Sequence, residues 1–275
     1  MDFKYFSQNG KILPVEQAVI PLNNIEYSYG FGVYENVRVS KSVVYFIKDH
    51  IERLLESARI IRIIHPFNEE FIKKSILDLI DNYKSETFNL KILLIGGSVK
   101  EKAILNIFCL NPFFLDKKLY REGAEYITYG YERSFPHAKT LNMLRSYLAY
   151  RQAKESNAYD ALLIDRNGFI LEGTRTNFFC IKDKTIYSPP EKNILLGVMR
   201  KVVLKVALKN NYQVMEKNIK LEDIRSYDGA FVTSTSSKIV PVKSINEIIL
   251  NVPDPLKELM RLLSNFLENC QGKMD

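Results

Sequence analysis

The sequence predicts an α+β fold in two domains. Three observations carry this: apolar periodicity alternates between the strand-like and helix-like repeat along the chain, residues 111–121 have no periodicity, and Asn9-Gly10 and Asn167-Gly168 are hairpin signals. At 275 residues the chain is long enough for two modest domains with ample core. The boundaries expected are a small N-terminal α/β domain over 1–115, an inter-domain loop over 116–122 and a larger domain over 123–275.

Residues 1–48 read as short strands and turns, with Val33 to Val39 alternating as a strand does. Asp49 is expected to open a helix, with Glu52 three residues on completing a capping box and Ile51, Leu54, Leu55, Ala58 and Ile61 forming its apolar stripe. Asn68-Glu69-Glu70 begins a second helix through Phe71, Ile72, Ile76, Leu79 and Ile80. Leu90–Ile95 and Ile104–Leu110 read as strands joined by a polar segment with Gly96-Gly97-Ser98.

The second domain opens with a strand near Glu125–Tyr131, and a helix is expected from about Leu141 to Ser156. Strand pairs follow at Ala161–Asp165 with Phe169–Leu171, and at Asn177–Ile181 with Thr185–Tyr187. Gly197 precedes a helix over Val198–Lys209, Gly229–Thr233 is a strand, and Pro253 to Leu267 closes the chain as an amphipathic helix on Leu256, Met260, Leu263 and Leu267.

Composition narrows the function class. Hydrophobic and charged fractions of 46% and 26% are those of a globular domain. The net charge of +7 comes from scattered lysines with no nucleic-acid motif, which fits a solvated basic surface or the attraction of anionic small substrates. Cys109, Cys180 and Cys270 have neither metal-ligand nor disulfide spacing and suit buried thiols of a reducing compartment. His50, His65 and His137 are too dispersed for a metal site and read as structural residues or hydrogen-bonding neighbours of a site. With no leader and no apolar run of membrane-spanning length, a cytoplasmic location is expected.

Four features make sense together if the ligand carries a phosphate and a protonated ring nitrogen. Lys139, in Pro136-His137-Ala138-Lys139-Thr140-Leu141-Asn142, is a candidate amine nucleophile if burial or a neighbouring cation disfavours its ammonium form. The helix start at Gly197-Val198-Met199 offers unpaired N–H groups and a positive dipole end to a phosphate. The Ser234–Ser237 run offers hydroxyl and backbone donors, and Arg53 a charge-assisted pair.

The order Tyr29-Gly30-Phe31-Gly32-Val33-Tyr34-Glu35-Asn36-Val37-Arg38, His50-Ile51-Glu52-Arg53-Leu54, Lys139, Glu172-Gly173-Thr174-Arg175-Thr176-Asn177-Phe178-Phe179, Leu196-Gly197-Val198-Met199-Arg200 and Ser234 to Val242 resembles the class IV aminotransferases. These are the fold-type IV pyridoxal-phosphate enzymes that include branched-chain and D-amino acid aminotransferases and aminodeoxychorismate lyase. The resemblance covers nearly the whole chain. It implies a small α/β domain, a larger domain with a β-barrel-like core, pyridoxal 5'-phosphate between the domains, and a homodimer with no metal.

By the same resemblance Lys139 holds the cofactor as an imine and then shuttles a proton between substrate and cofactor carbons. Glu172 keeps the pyridine nitrogen protonated, and Arg53, the backbone at Val198 and Met199, and Thr235 hold the phosphate. Tyr29, Tyr34 and Arg38 line the substrate pocket, with Thr235 and Ser236 receiving the substrate carboxylate through N–H groups. The spacing of Tyr29, Tyr34 and Arg38 resembles branched-chain enzymes. Gly96-Gly97-Ser98-Val99-Lys100 lacks the arginine and histidine of typical D-amino acid aminotransferases. Met199 stands where branched-chain enzymes usually have threonine, as the lyase tolerates, and Asn36 replaces their usual glycine. The function expected is transfer of an amino group between an α-amino acid, a branched-chain L-amino acid first, and a 2-oxo acid such as 2-oxoglutarate; the alternatives are the lyase and a D-amino acid or (R)-amine transaminase.

Overall fold

The computed structural model describes residues 3–40, 42–83 and 87–270, the side chain of Cys270 excepted. The chain divides into two compact units, residues 1–113 with 137–143, and residues 114–136 with 144–275.

In the first unit a hairpin of β1 (Tyr5–Gln8) and β2 (Lys11–Pro14) turns through Asn9 and Gly10, both at positive φ, as a type I′ turn requires. A single helical turn, α1 (Ile25–Ser28), leads into β3 (Gly32–Ser40) and the short β4 (Val43–Val44). Helices α2 (Ile47–Ile60) and α3 (Glu69–Ile80) precede β5 (Thr87–Ile95) and β6 (Ile104–Leu110). The sheet order is β2-β1-β6-β5-β3-β4, antiparallel at each pairing. Alternation along β3 sends Val33, Val37 and Val39 into a core with Ile51, Leu54 and Ala58 of α2 and Ile72 and Ile76 of α3.

α2 starts earlier than the capping-box reading predicts. Its N-cap is Phe46, at φ 54° in the left-handed region, with no side-chain cap. The tight exit from β4 sets that conformation, so Asp49 sits inside the first turn, where its charge faces the positive dipole end. The second helix begins as expected: the Asn68 side chain accepts the Phe71 N–H at 2.8 Å.

The second unit begins with α4 (Lys117–Glu122), which occupies the stretch read as a connection, and β7 (Ala124–Gly130). Then come α5 (Leu144–Glu155), starting three residues later than expected, β8 (Asp160–Ile164), β9 (Phe169–Gly173), β10 (Asn177–Lys182) and β11 (Thr185–Ser188). After these lie α6 (Val198–Lys209), β12 (Gln213–Glu216), β13 (Ile219–Lys220), β14 (Gly229–Ser234), β15 (Lys238–Ile245), β16 (Ile248–Ile249) and α7 (Asp254–Cys270).

Six of these strands close on themselves in the order β10-β14-β15-β7-β8-β9, and the ring is shut by Asn177 of β10 pairing with Glu172 of β9. The expected barrel-like core is therefore present, filled by Phe178, Cys180, Val232, Val240, Leu162 and Ile170. Closure removes the sheet edges that water or another strand would otherwise have to satisfy. α7 buries Leu256, Leu259, Leu263 and Leu267 along one stripe.

Candidate active site

The Lys139 segment belongs to the first unit and lies along the start of β3. The Tyr34 N–H donates to the Lys139 carbonyl at 2.9 Å and the Leu141 N–H to the Gly32 carbonyl at 2.8 Å. The Lys139 N–H donates to Ser57 Oγ of α2 at 3.0 Å. A Cβ on Gly32 would stand 2.6 Å from Leu141 Cδ1, so the close approach requires glycine there. The backbone of Lys139 is thus held from both sides, and its half-buried side chain places Nζ 4.6 Å from the centroid of the Tyr34 ring.

Alternation in β3 sorts the predicted residues onto two faces. Tyr34 and Arg38 share one face, where Arg38 Nη1 donates to Asn89 Oδ1 at 3.3 Å. Glu35 turns the other way, fully buried, and meets α2. His50, Arg53 and Ser57 lie at helical spacing on α2, and the first two engage Glu35: His50 Nδ1 at 2.7 Å, Arg53 Nε at 2.6 Å and Arg53 Nη2 at 2.7 Å. Burial pushes the Glu35 carboxyl up, but Arg53 and His50 outweigh it and hold it down at about 2. Tyr29 caps α1, is 80% exposed and joins none of these contacts.

In the second unit Glu172 is 3% exposed at the barrel seam. Strict alternation from Ile170 would point it into the barrel. The β8–β9 register shifts between Leu163 and Ile164, however, so that Ile164 faces Ile170 while Leu163 faces Glu172. This irregularity turns the carboxylate out of the barrel core. There Oε1 accepts from Arg133 Nε at 2.6 Å and Oε2 from the Leu195 N–H at 3.2 Å, while Arg133 Nη2 also donates to the Thr174 carbonyl at 2.9 Å.

The same cluster carries the start of α6. Asn177, opposite Glu172, donates through Nδ2 to the Leu195 carbonyl at 2.6 Å, and a Cβ on Gly197 would lie 2.1 Å from its Oδ1. Gly197 is the N-cap and offers no side-chain cap, which leaves the first N–H groups of the helix, Val198 and Met199 among them, without an intrahelical acceptor. Thr235 and Ser236 lie in the turn between β14 and β15, two and three residues past Thr233, which pairs with Asn177. Ser234 Oγ bonds Ser237 Oγ and takes the Ser237 N–H at 3.1 Å, which fixes the turn around them.

Glu35, Ser57, Arg133 and Asn177 carry no role in the sequence reading. For Glu35 a signal existed: a carboxylate in the apolar phase of β3, matched by a histidine, His50, within the apolar stripe of α2. Arg133 lies in an aperiodic stretch and gave none. Among the described residues, no group of three or more His, Cys, Asp or Glu side chains could hold a metal ion, and no helix is long and apolar enough to cross a membrane.

The family model described as amino-transferase class IV matches residues 32–245. A Methanocaldococcus jannaschii protein provisionally named branched-chain-amino-acid aminotransferase is 31% identical over 255 residues, 88% of each chain. D-alanine aminotransferase of Bacillus licheniformis is 28% identical, over 94% of this chain and 95% of its own. Among solved structures, the Escherichia coli branched-chain amino acid aminotransferase superposes with a TM-score of 0.87 at 24% identity, covering 94% of this chain and 93% of that one. The branched-chain aminotransferase of the archaeon Thermoproteus uzoniensis, solved with norvaline, superposes with a TM-score of 0.85 at 23% identity, covering 97% of each chain.

Proposed function

This chain belongs to the amino-transferase class IV family and is a pyridoxal-phosphate-dependent aminotransferase, and from that premise we propose that it exchanges an amino group between a branched-chain L-amino acid and a 2-oxo acid such as 2-oxoglutarate. The observation that carries the substrate reading is Tyr34 with Arg38 on one face of β3, the Tyr34 ring lying against the Lys139 ammonium. The names carried by relatives such as the Methanocaldococcus jannaschii protein support it.

The residues present fit the cofactor. A buried carboxylate, an amine held by its backbone and an uncapped helix start match a ring nitrogen, an aldehyde carbon and a phosphate in turn. When bound, pyridoxal phosphate supplies a carbon that exchanges amines and a ring that takes up the electron pair left when a proton departs. With the cofactor bound, Lys139 would be the amine that holds it, and its Nζ would be the group placed to move the proton at the substrate α-carbon. Glu172 keeps a proton on the ring nitrogen, with Arg133 and the Leu195 N–H fixing the direction of its carboxylate.

Arg53, the N–H groups of Val198 and Met199, and Thr235 hold the phosphate, with Glu35 and His50 fixing the Arg53 guanidinium. Tyr29, Tyr34 and Arg38 shape the substrate pocket, and the Thr235 and Ser236 N–H groups take the α-carboxylate. In the same reading the enzyme is a cytoplasmic homodimer, with exposed Leu22, Ile25 and Tyr29 supplying apolar contact surface.

Met199 favours one second reading, aminodeoxychorismate lyase, because it removes a hydroxyl donor from the phosphate. Assays with L-leucine, D-alanine and L-glutamate as donors to 2-oxo acids, and with aminodeoxychorismate in parallel, separate the readings. Turnover of L-leucine supports the first; release of pyruvate and 4-aminobenzoate without transamination replaces it with the second.

A further inference from the structure

The first turn of α6 carries the reverse of the charge that a helix start favours. The positive dipole end attracts acidic side chains, and α2, α3 and α7 follow this with Asp49, with Glu69 and Glu70, and with Asp254. α6 has no acidic residue in its first turn and no side-chain cap at Gly197, and Arg200 stands three residues past that N-cap. α5 also lacks an acid there, but its Arg145 is exposed to water, whereas Arg200 is 6% exposed. A buried guanidinium at this place opposes the dipole of its own helix.

The surroundings leave much of that charge uncompensated. Arg200 Nη1 lies 2.9 Å from Glu191 Oε1, and Glu191 is half-exposed, so water screens the carboxylate more than the guanidinium. Arg200 Nη2 donates to Ser188 Oγ at 3.3 Å, and that hydroxyl in turn donates to the Pro189 carbonyl at 3.0 Å. The buried Nε meets no acceptor among the described residues. A helical side chain leans back towards the N-terminus, which sets the charge of Arg200 beside the open N–H groups of Val198 and Met199.

We infer that Arg200 is a specificity-determining residue for the cofactor, selecting its phosphorylated form through the field at the start of α6 rather than through contact. The inference rests on the reading above that puts the phosphate at Val198 and Met199. A dianion there turns the unfavourable placement of Arg200 into a favourable one. Glu191 repels the same dianion and tempers Arg200. The two charges of one ion pair therefore act on the cofactor in opposite directions, whereas a strut joining loop to helix would need both.

The test titrates the full-length apoprotein with pyridoxal 5'-phosphate and with pyridoxal, following visible absorption, for wild type, Arg200→Met, Arg200→Lys and Glu191→Gln. Arg200→Met lowers the preference for the phosphorylated form about 10-fold and Glu191→Gln raises it about 2- to 5-fold, as expected for single charges acting on a dianion across roughly one helical turn. Arg200→Lys keeps the charge and most of the preference. If Arg200→Met does not fold, the sign of the Glu191→Gln change decides. Variants that weaken both ligands alike, or a preference that Glu191→Gln lowers or leaves unmoved, overturn the inference in favour of a strut. A wild-type protein that binds pyridoxal as tightly as its phosphate defeats the phosphate placement itself, and this inference with it.

Discussion

Arg133 Nε meets Glu172 Oε1 at 2.6 Å, so a carboxylate that is 3% exposed at the barrel seam is held as one half of an ion pair. Both charges come from loops or strand ends, and neither is adjacent to the other in sequence. Their separation matters because the direction of the Glu172 carboxylate depends on a guanidinium that also grips the Thr174 carbonyl.

Removing one partner of a buried pair leaves the other uncompensated, at a cost of about 3–5 kcal/mol. Arg133→Leu is therefore expected to lower the urea midpoint and to weaken cofactor retention. Arg133→Lys should recover only part of both, because a lysine cannot reproduce the two directed bonds. Midpoints and cofactor dissociation constants for the pair of variants check this.

Glu35 sets an acid limit on the first unit. Its folded pKa, about 2, lies below the ordinary 4.5. The stabilisation is complete above 4.5 and is lost as pH falls through about 2, since protonation abolishes the pairing with Arg53 and His50. Glu35→Gln should cost about 3–5 kcal/mol at neutral pH. It should also flatten the loss of stability between those two pH values. Urea titrations from neutral pH downwards report both effects.

Gly197→Ala would drive a methyl against Asn177 Oδ1. Overpacking of this kind costs about 1–3 kcal/mol, and here it displaces the first turn of α6. Weaker cofactor binding is expected with it, read by equilibrium dialysis. Asn177→Ala removes the obstacle, so the double variant should lose less than the sum of the two single changes.

Much of the fold was legible because it is written in local periodicity. The bounds of α6 and the turns at Asn9-Gly10 and Asn167-Gly168 need no information beyond a few neighbouring residues. Phe46 was not legible: a bulky residue in the left-handed region is imposed by the path out of β4 and contradicts its own preference. The outward turn of Glu172 depends on a register shift against β8, and barrel closure depends on Asn177 finding Glu172, both consequences of strand pairing.

The visible absorption of purified wild-type and Lys139→Ala protein, before and after L-leucine, L-glutamate and D-alanine are added separately, tests the central claim most directly. The account predicts a yellow wild-type protein whose band is missing in Lys139→Ala and shifts to shorter wavelength when L-leucine or L-glutamate donates its amino group. A colourless wild-type protein that pyridoxal phosphate cannot reconstitute, or a band unchanged in Lys139→Ala, would contradict it.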